Sequence, residues 1–257
     1  MALSSKIVFE NRFMLQQAAQ LRRKTVTEEI QRVVETVPGW TPPDQLLALH
    51  MLTVLTASLH GDVLEIGSWC GRSTSVLGHA AKTSGDRIWA VDLFPRKEDW
   101  QRNPDGSYSI RGRGNAGDYT AYTEQTVWEG PFVRDILPVY NRSSDLLEVF
   151  KATMAREDLQ DVVTPFRGDV RQWAEMVSAD VRLRLAFVDG DHGYDAVMAD
   201  IATIEARLLP GAWISFDDAF SHYDGVNRAI EEAIILSPHY DCAHQICRKF
   251  FAARFLG

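Results

Sequence analysis

From residue 62 onward, the hydrophobic positions form short apolar runs that alternate with longer segments of helical periodicity. The short runs hold few polar residues, which is typical of strands buried on both faces of a parallel sheet. Strands separated by helices predict right-handed crossovers and a doubly wound α/β fold. With a further antiparallel pair at the end, we expect a mostly parallel sheet of seven strands. The predicted strands are 62–66, 88–92, 162–166, 185–189 and 212–217, with the antiparallel pair in 240–255.

The remaining periodic segments predict helices before and between these strands. Residues 1–60 show helical patterns only, so we expect an N-terminal helical cap on a main domain of residues 61–257. The helix from Pro42 onward is apolar on nearly every side, which predicts that the main domain buries it. The predicted helices are 26–37, the segment from Pro42, 73–82, 145–157, 197–208 and 226–235.

The connection between the second and third predicted strands is longer than a crossover requires. It spans roughly 70 residues, and connections of that length are usually functional or disordered. Once the helix over 145–157 is set aside, residues 95–144 remain as an insertion rich in glycine and aromatic residues. The insertion could be a lid that lines a substrate cleft, or a mobile excursion. Its candidate substrate contacts are Tyr119, Tyr122 and Trp128.

Composition narrows the choice of partners and compartment. The 27 basic and 35 acidic residues give a net charge of −8, which argues against a nucleic-acid or anionic-membrane partner because either needs a basic surface. Three cysteines without zinc-site spacing favour a reducing compartment. The sequence has no long apolar run and no signal-peptide pattern, so a cytoplasmic location is the expectation. The oligomeric state stays open, a homo-oligomer included.

A glycine turn joins the first predicted strand to the helix that follows it. Gly67 can adopt a positive φ there, and Gly71 lets the helix begin close to the strand. An anionic group of a ligand can then reach backbone N–H groups at the helix N-terminus, where Ser73 adds a hydroxyl. Asp92 closes the second strand, 27 residues after Glu65, where a carboxylate can accept both hydroxyls of a ribose. Together these features predict a nucleoside ligand.

Two observations bear on which nucleoside binds. The dinucleotide fingerprint G-x-G-x-x-G is absent, because three residues separate Gly67 from Gly71. Glu65 would repel a pyrophosphate and suits a cationic cofactor better. A nicotinamide-dependent oxidoreductase on the same fold stays as an alternative, as does a non-catalytic protein that binds the cofactor without turnover.

Acidic residues follow the fourth and fifth predicted strands, at the sheet edge where doubly wound folds bind ligands. Asp189 ends one strand, and Asp217 and Asp218 end its expected neighbour. Three carboxylates at close range repel one another unless they are protonated or bind a cation, and oxygen ligands favour a hard cation such as Mg²⁺. The alternative is that these aspartates only cap helices. His192 is a candidate general base, with a structural hydrogen-bonding role as the alternative, and His222 is a candidate substrate contact.

The segment from residue 63 to residue 73 closely resembles motif I of the S-adenosylmethionine-dependent O-methyltransferases of the catechol and caffeoyl-CoA type. The resemblance implies a Rossmann-like methyltransferase fold with S-adenosylmethionine as cofactor. By this resemblance, Glu65 and Gly67 flank the methionine part of the cofactor and Ser73 contacts its carboxylate. Asp92 holds the ribose hydroxyls, and Asp169 lies beside the adenine. The rest of the cofactor-binding turn consists of Ser68, Trp69 and Gly71.

The acidic residues depart from the catechol type. That type has a lysine where this chain has His192, and Asp-Asn where it has Asp217 and Asp218. The block Val188–His192 is similar to one that recurs in macrocin-type methyltransferases, which act on deoxysugar hydroxyls of macrolides. We therefore expect an O-methyltransferase in which Asp189 and the later acidic pair hold a divalent cation and His192 takes the proton of the acceptor. The expected acceptor is a small molecule, such as the sugar or phenolic part of a natural product.

Overall fold

A computed structural model describes residues 25–82, 84–114, 117–123 and 126–257 of the chain. In this part of the chain, ten strands form two sheets. In chain order the strands are β1 (Asp62–Ile66), β2 (Ile88–Asp92), β3 (Trp100–Arg102), β4 (Tyr108–Gly114), β5 (Gly117–Ala121), β6 (Val163–Arg167), β7 (Leu183–Val188), β8 (Leu208–Phe216), β9 (Tyr240–Cys247) and β10 (Phe250–Phe255).

The larger sheet has seven strands in the order β6-β2-β1-β7-β8-β10-β9. The first five strands of this order pair in parallel, whereas β10 is antiparallel to both β8 and β9. Every residue of the central strand β7 is buried. The predicted doubly wound, mostly parallel sheet is therefore confirmed. Some predicted boundaries were wrong: the strand predicted over 185–189 is Leu183–Val188, and the strand predicted over 212–217 is Leu208–Phe216. Leu208 pairs with Leu183 as the first residue of β8 and does not end the preceding helix.

Helices cover both faces of this sheet. Residues along β1 alternate between two cores: Val63 belongs to the core that contains residues of α2 and α3, and Leu64 belongs to the core that contains residues of α6, α7 and α8. None of the described helices is both long and apolar enough to cross a bilayer. In chain order the helices are α1 (residues 25–36), α2 (Pro43–Leu55), α3 (Arg72–Ala81), α4 (Glu129–Pro131), α5 (Leu146–Arg156), α6 (Val170–Met176), α7 (Tyr194–Glu205) and α8 (Asp224–Ile230).

Helix α2 is less buried than its composition predicts. Leu46 and Leu49 are fully buried, but Met51, Val54 and Leu55 are 62%, 53% and 61% exposed. The prediction that the main domain buries this helix therefore holds for one face of α2, which joins the core beside α3, and is wrong for the exposed face. The polar residue that matters for the site lies on the buried side, as described below.

Polar contacts hold the described part of the N-terminal cap against the main domain. Arg32 of α1 donates two hydrogen bonds to Glu157, which follows α5, at 3.0 and 2.7 Å. Arg72 Nε donates to the carbonyl oxygen of Val37 at 2.8 Å. Because Arg72 begins α3, this bond ties the loop between α1 and α2 to the glycine turn. Residues 1–24 of the predicted cap lie outside the described residues.

The insertion between β2 and β6 contains a second sheet that the sequence pattern did not predict. Strands β3, β4 and β5 pair antiparallel in that order. The rings of Tyr108 and Phe132 stack with centroids 3.8 Å apart, and Trp100 packs against Phe132 at 5.4 Å. Trp100 Nε1 also donates to the Tyr140 hydroxyl at 2.9 Å. Phe132 and Tyr140 belong to two short helical segments, Phe132–Ile136 and Leu137–Asn141. Part of the aromatic content therefore builds a core between these segments and the small sheet.

Gly67 lies where β1 ends against the end of β7. Its φ is +87°, and a Cβ at this position would lie 1.9 Å from the carbonyl oxygen of Asp189. Gly85 has a similar φ of +75°, but a Cβ there meets no described atom within 4 Å. Gly85 is therefore a matched control for the steric contact.

We expect Gly67→Ala to lower the free energy of unfolding by roughly 3 kcal/mol or more and Gly85→Ala by about 1 kcal/mol, because only the first substitution adds a clash to backbone strain. Urea denaturation followed by circular dichroism measures both losses. Equal losses for the two variants would contradict the proposed close contact.

Candidate active site

A cavity of about 710 Å³ lies at the carboxyl ends of the parallel strands. The ends of β1 and β2 and the loops after β7 and β8 form its floor, and the loop between α1 and α2 and the insertion contribute its sides. All the predicted site residues line this cavity except Glu65, Gly71 and Trp128. The residues predicted to bind a cofactor and those predicted to bind a cation thus share one cavity.

Glu65 supports the glycine turn from behind the cavity. Its side chain is fully buried and accepts hydrogen bonds from Ser68 Oγ at 2.7 Å and from Thr74 Oγ1. Burial raises the pKa of the Glu65 carboxyl, although these hydroxyl donors act in the opposite direction. Gly71, with a φ of +90°, immediately precedes α3 and faces the side chains of α5. The side of the turn that lines the cavity consists of Gly67, Ser68, Trp69 and Ser73.

Asp92 connects the end of β2 to the same turn. Its Oδ2 accepts a hydrogen bond from the Trp69 backbone N–H at 2.9 Å, and its Oδ1 accepts one from the Phe94 backbone N–H at 2.6 Å. Burial raises the pKa of Asp92 in spite of these donors. Each carboxylate oxygen has a second lone pair, so the side chain can still accept hydrogen bonds from a ligand in the cavity.

Asp169 lines the cavity and also caps a helix. Its Oδ1 accepts from the Gln172 backbone N–H at 2.9 Å, and Gln172 Oε1 accepts from the Asp169 backbone N–H at 3.2 Å, which forms a capping box at the start of α6. The sequence analysis missed Asp200, on α7, which lines the cavity as well. Burial, together with the nearby carboxylates of Asp169 and Asp191, raises the pKa of Asp200 to about 7.

Asp189, His192 and Asp218 come together at the ends of β7 and β8. His192 Nε2 lies 3.0 Å from Asp218 Oδ2, and one ligand atom from each of the three residues lies within 4.8 Å of the others. The His192 ring stacks on Tyr223, with centroids 4.1 Å apart. Burial, together with the charges of Asp217 and Asp218, raises the pKa of Asp189 well above its usual value. Two carboxylates and an imidazole in this arrangement could hold a metal ion.

Asp217, the third predicted cation ligand, faces different partners. Its Oδ1 accepts hydrogen bonds from Gln45 Nε2 of α2 and from the Asp218 backbone N–H, both at 2.8 Å. The three residues whose ligand atoms come together are therefore Asp189, Asp218 and His192, and Asp217 is not among them. The alternative that the three aspartates cap helices is wrong, because α7 and α8 have Gly193 and Tyr223 at their N-cap positions.

The sequence analysis also missed Lys249, in the turn between β9 and β10. Its Nζ lies 3.5 Å from Asp217 Oδ2 and contacts Asp218 Oδ1. Burial alone would raise the pKa of Asp218, but the hydrogen bonds from His192 and Lys249 lower it. The sequence shows a basic pair, Arg248 and Lys249, between the two predicted antiparallel strands, but only the pairing of β10 with β8 brings Lys249 to the acidic pair.

The predicted substrate contacts divide into two groups. Tyr119, Tyr122 and His222 line the cavity, whereas Trp128 does not. Trp128 is 60% exposed and immediately precedes the short helix α4. Tyr122 has a φ of +55°, and its ring stacks on Trp100 with centroids 5.9 Å apart. Burial and the nearby carboxylates, Asp92 first among them, raise the pKa of the Tyr122 phenol.

Several solved structures share this fold. The O-methyltransferase from Bacillus cereus in complex with SAH is 16% identical with a TM-score of 0.56, and the alignment covers 90% of each chain. The O-methyltransferase TomG from Streptomyces achromogenes, involved in tomaymycin synthesis and solved in complex with SAM, is 16% identical with a TM-score of 0.54 over 85% of this chain and 82% of that chain. The apo structure of CalS11, a TDP-rhamnose 3'-O-methyltransferase of calicheamicin biosynthesis, is 17% identical with a TM-score of 0.52 over 90% of this chain and 93% of that chain.

The sequence itself also matches a family. A sequence model described as "Methyltransferase domain" matches residues 64–219. The matched range includes the glycine turn, Asp92, Asp169 and the acidic residues that follow β7 and β8. Because the match covers more than half of the 257 residues, the chain belongs to this family of methyltransferases.

Proposed function

We propose that this methyltransferase transfers the methyl group of S-adenosylmethionine to a hydroxyl group of a small molecule, with a divalent cation orienting that hydroxyl. The observation that carries the proposal is one cavity that joins the glycine turn and Asp92 to Asp189, His192 and Asp218. In an in-line displacement, the acceptor oxygen attacks the methyl carbon from the side opposite the leaving sulfur, so donor and acceptor must be held close together. The shared cavity supplies that proximity.

The walls of the cavity support S-adenosylmethionine as the donor. Ser73 and the backbone N–H groups at the start of α3 would hold the carboxylate of the methionine part, beside Gly67. Asp92 would accept the ribose hydroxyls through its remaining lone pairs, and Asp169 would lie beside the adenine while it caps α6. Two structurally similar O-methyltransferases, the Bacillus cereus enzyme in complex with SAH and TomG in complex with SAM, are consistent with this assignment.

The donor set at the ends of β7 and β8 fits a hard divalent cation, and we propose Mg²⁺. Asp189 and Asp218 would supply oxygen ligands, and Asp217 would add negative charge from beside them. Burial and the charges of the neighbouring carboxylates raise the pKa of Asp189, and a cation would relieve the repulsion between those charges. When bound, such a cation lowers the pKa of an acceptor hydroxyl.

His192 is the proposed general base. Asp218 and Tyr223 hold its ring from two sides. A hydrogen bond donated from Nε2 to Asp218 would select the tautomer that carries its proton on Nε2. The basic lone pair would then be on Nδ1, which would take the proton from the hydroxyl of the substrate. An imidazole suits this step because histidine is the side chain most often used as a general base.

We propose the sugar or phenolic part of a natural product as the acceptor. Tyr119, Tyr122 and His222 give the cavity ring-shaped side chains with polar tips, which can pack against a ring and hydrogen-bond to its hydroxyls. The descriptions of TomG and CalS11, which name tomaymycin synthesis and TDP-rhamnose, support the same class of acceptor.

Substitution of Asp92 tests the cofactor. Asp92→Asn should weaken S-adenosylhomocysteine binding roughly tenfold to a hundredfold, because hydrogen bonds to a charged group are lost. Isothermal titration measures the affinity, with Asp161→Asn, an exposed aspartate after α5, as the matched control. Unchanged affinity in Asp92→Asn would contradict the ribose assignment, and tight binding of NADH to the wild-type protein would favour the oxidoreductase instead.

Removal of the cation tests its part in turnover. With labelled S-adenosylmethionine and a panel of sugar and phenolic acceptors, EDTA should abolish methyl transfer and excess Mg²⁺ should restore it, because the acceptor hydroxyl loses its orienting charge. S-adenosylhomocysteine affinity measured in EDTA should stay unchanged, which separates the two subsites. Full turnover in EDTA would eliminate the cation from the proposal.

Substitution of His192 tests the base. His192→Gln should lower kcat by roughly 10²–10³, a typical loss for a general base, and leave S-adenosylhomocysteine affinity within about twofold. His244→Gln, which changes an exposed histidine of β9, is the control. A normal kcat in His192→Gln would return this residue to a structural role.

A further inference from the structure

The turn between β9 and β10 is fastened to the acidic end of β8. The Ala219 backbone N–H, just after the acidic pair, donates to the carbonyl oxygen of Lys249 at 2.8 Å. Arg248 Nε pairs with Asp44 Oδ2 of α2 at 2.8 Å, so the turn is held from the other side as well. The backbone of the turn that carries Lys249 is therefore held from both sides.

The Lys249 ammonium shares carboxylates with the proposed cation site. It contacts Asp218 Oδ1, while His192 contacts the other oxygen of the same carboxylate. It also lies 3.5 Å from Asp217 Oδ2, whose partner oxygen is held by Gln45. A divalent cation bound by Asp189 and Asp218 would thus lie close to the Lys249 ammonium, which contacts the Asp218 carboxylate as well. Two like charges at this range weaken each other's binding.

We propose that Lys249 is a built-in counter-ion that lowers the affinity of the site for a divalent cation and keeps Asp217 and Asp218 in place without one. This inference rests on the proposed function, since it deepens the cation site proposed above. Lys249 acts through the two carboxylates, so it is a positioning residue. Its charge makes the cation an exchangeable component of the site.

Direct cation binding tests the proposal without any measurement of activity. Mn²⁺ binding, followed by electron paramagnetic resonance with S-adenosylhomocysteine present, is compared in the wild-type protein, Lys249→Met and Lys249→Arg. We expect Lys249→Met to bind Mn²⁺ at least about tenfold more tightly, because a competing charge is gone, and Lys249→Arg to stay within about threefold of wild type. Lys97→Met removes the same charge from an exposed lysine that does not line the cavity, and should change the affinity less than about twofold.

Thermal unfolding supplies a second measurement. In EDTA, Lys249→Met should unfold at a lower temperature than wild type because its carboxylates lack a counter-ion, and saturating Mn²⁺ should raise its Tm more than that of wild type. If Lys249→Met does not fold, Lys249→Gln serves in the same two measurements.

The outcomes separate the two proposals. Mn²⁺ binding that is equal or weaker in Lys249→Met would overturn the role of Lys249 and leave the cation site standing. No Mn²⁺ binding in any of the variants would overturn the cation site and the role of Lys249 together. An equal gain in Lys97→Met would show a general charge effect and would also overturn the specific role of Lys249.

Discussion

The close approach of the ends of β1, β7 and β8 is the constraint on which the site depends. The Asp189 backbone N–H donates to the carbonyl oxygen of Ile66 at 2.9 Å, and the Asp217 backbone N–H donates to the carbonyl oxygen of Val188 at 3.0 Å. These bonds extend the parallel pairing past the strands and into the loops that carry the functional side chains. Only a glycine at position 67 leaves room for the Asp189 carbonyl, so the turn and the acidic loop form one cavity.

That same closeness concentrates negative charge in a poorly hydrated place. Burial and neighbouring carboxylates raise the pKa of Asp189, and burial raises those of Asp92 and Asp217. The chain relieves part of this cost with its own donors: backbone N–H groups for Asp92, Gln45 for Asp217 and the Lys249 ammonium for the acidic pair. Such partly compensated charge is a common feature of functional sites.

Two segments from distant parts of the chain complete the walls. The loop after α1 is held by the Arg72 side chain, and the insertion has an aromatic core that supports Tyr119 and Tyr122. Tyr119 is fixed by a hydrogen bond from its hydroxyl to Asp99 Oδ2 at 3.0 Å. The parallel strand ends thus meet walls formed by two loop segments, and those walls are where acceptor selectivity would reside.

Local patterns in the sequence were enough for the strands of the main sheet, the glycine turn and the acids at the ends of β2, β7 and β8. These features depend on periodicity and on residues close together in the chain, and parallel strands must present their carboxyl ends on one edge. The small antiparallel sheet, the exposed side of α2 and the outward position of Trp128 escaped prediction, because each is set by packing between segments. The contacts of Gln45 and Lys249 with the acidic pair join residues 172 and 31 positions apart, so no local pattern encodes them. Local sequence patterns indicated the kind of chemistry. The side chains that balance the charges of the site come together only when distant segments of the chain pack against one another.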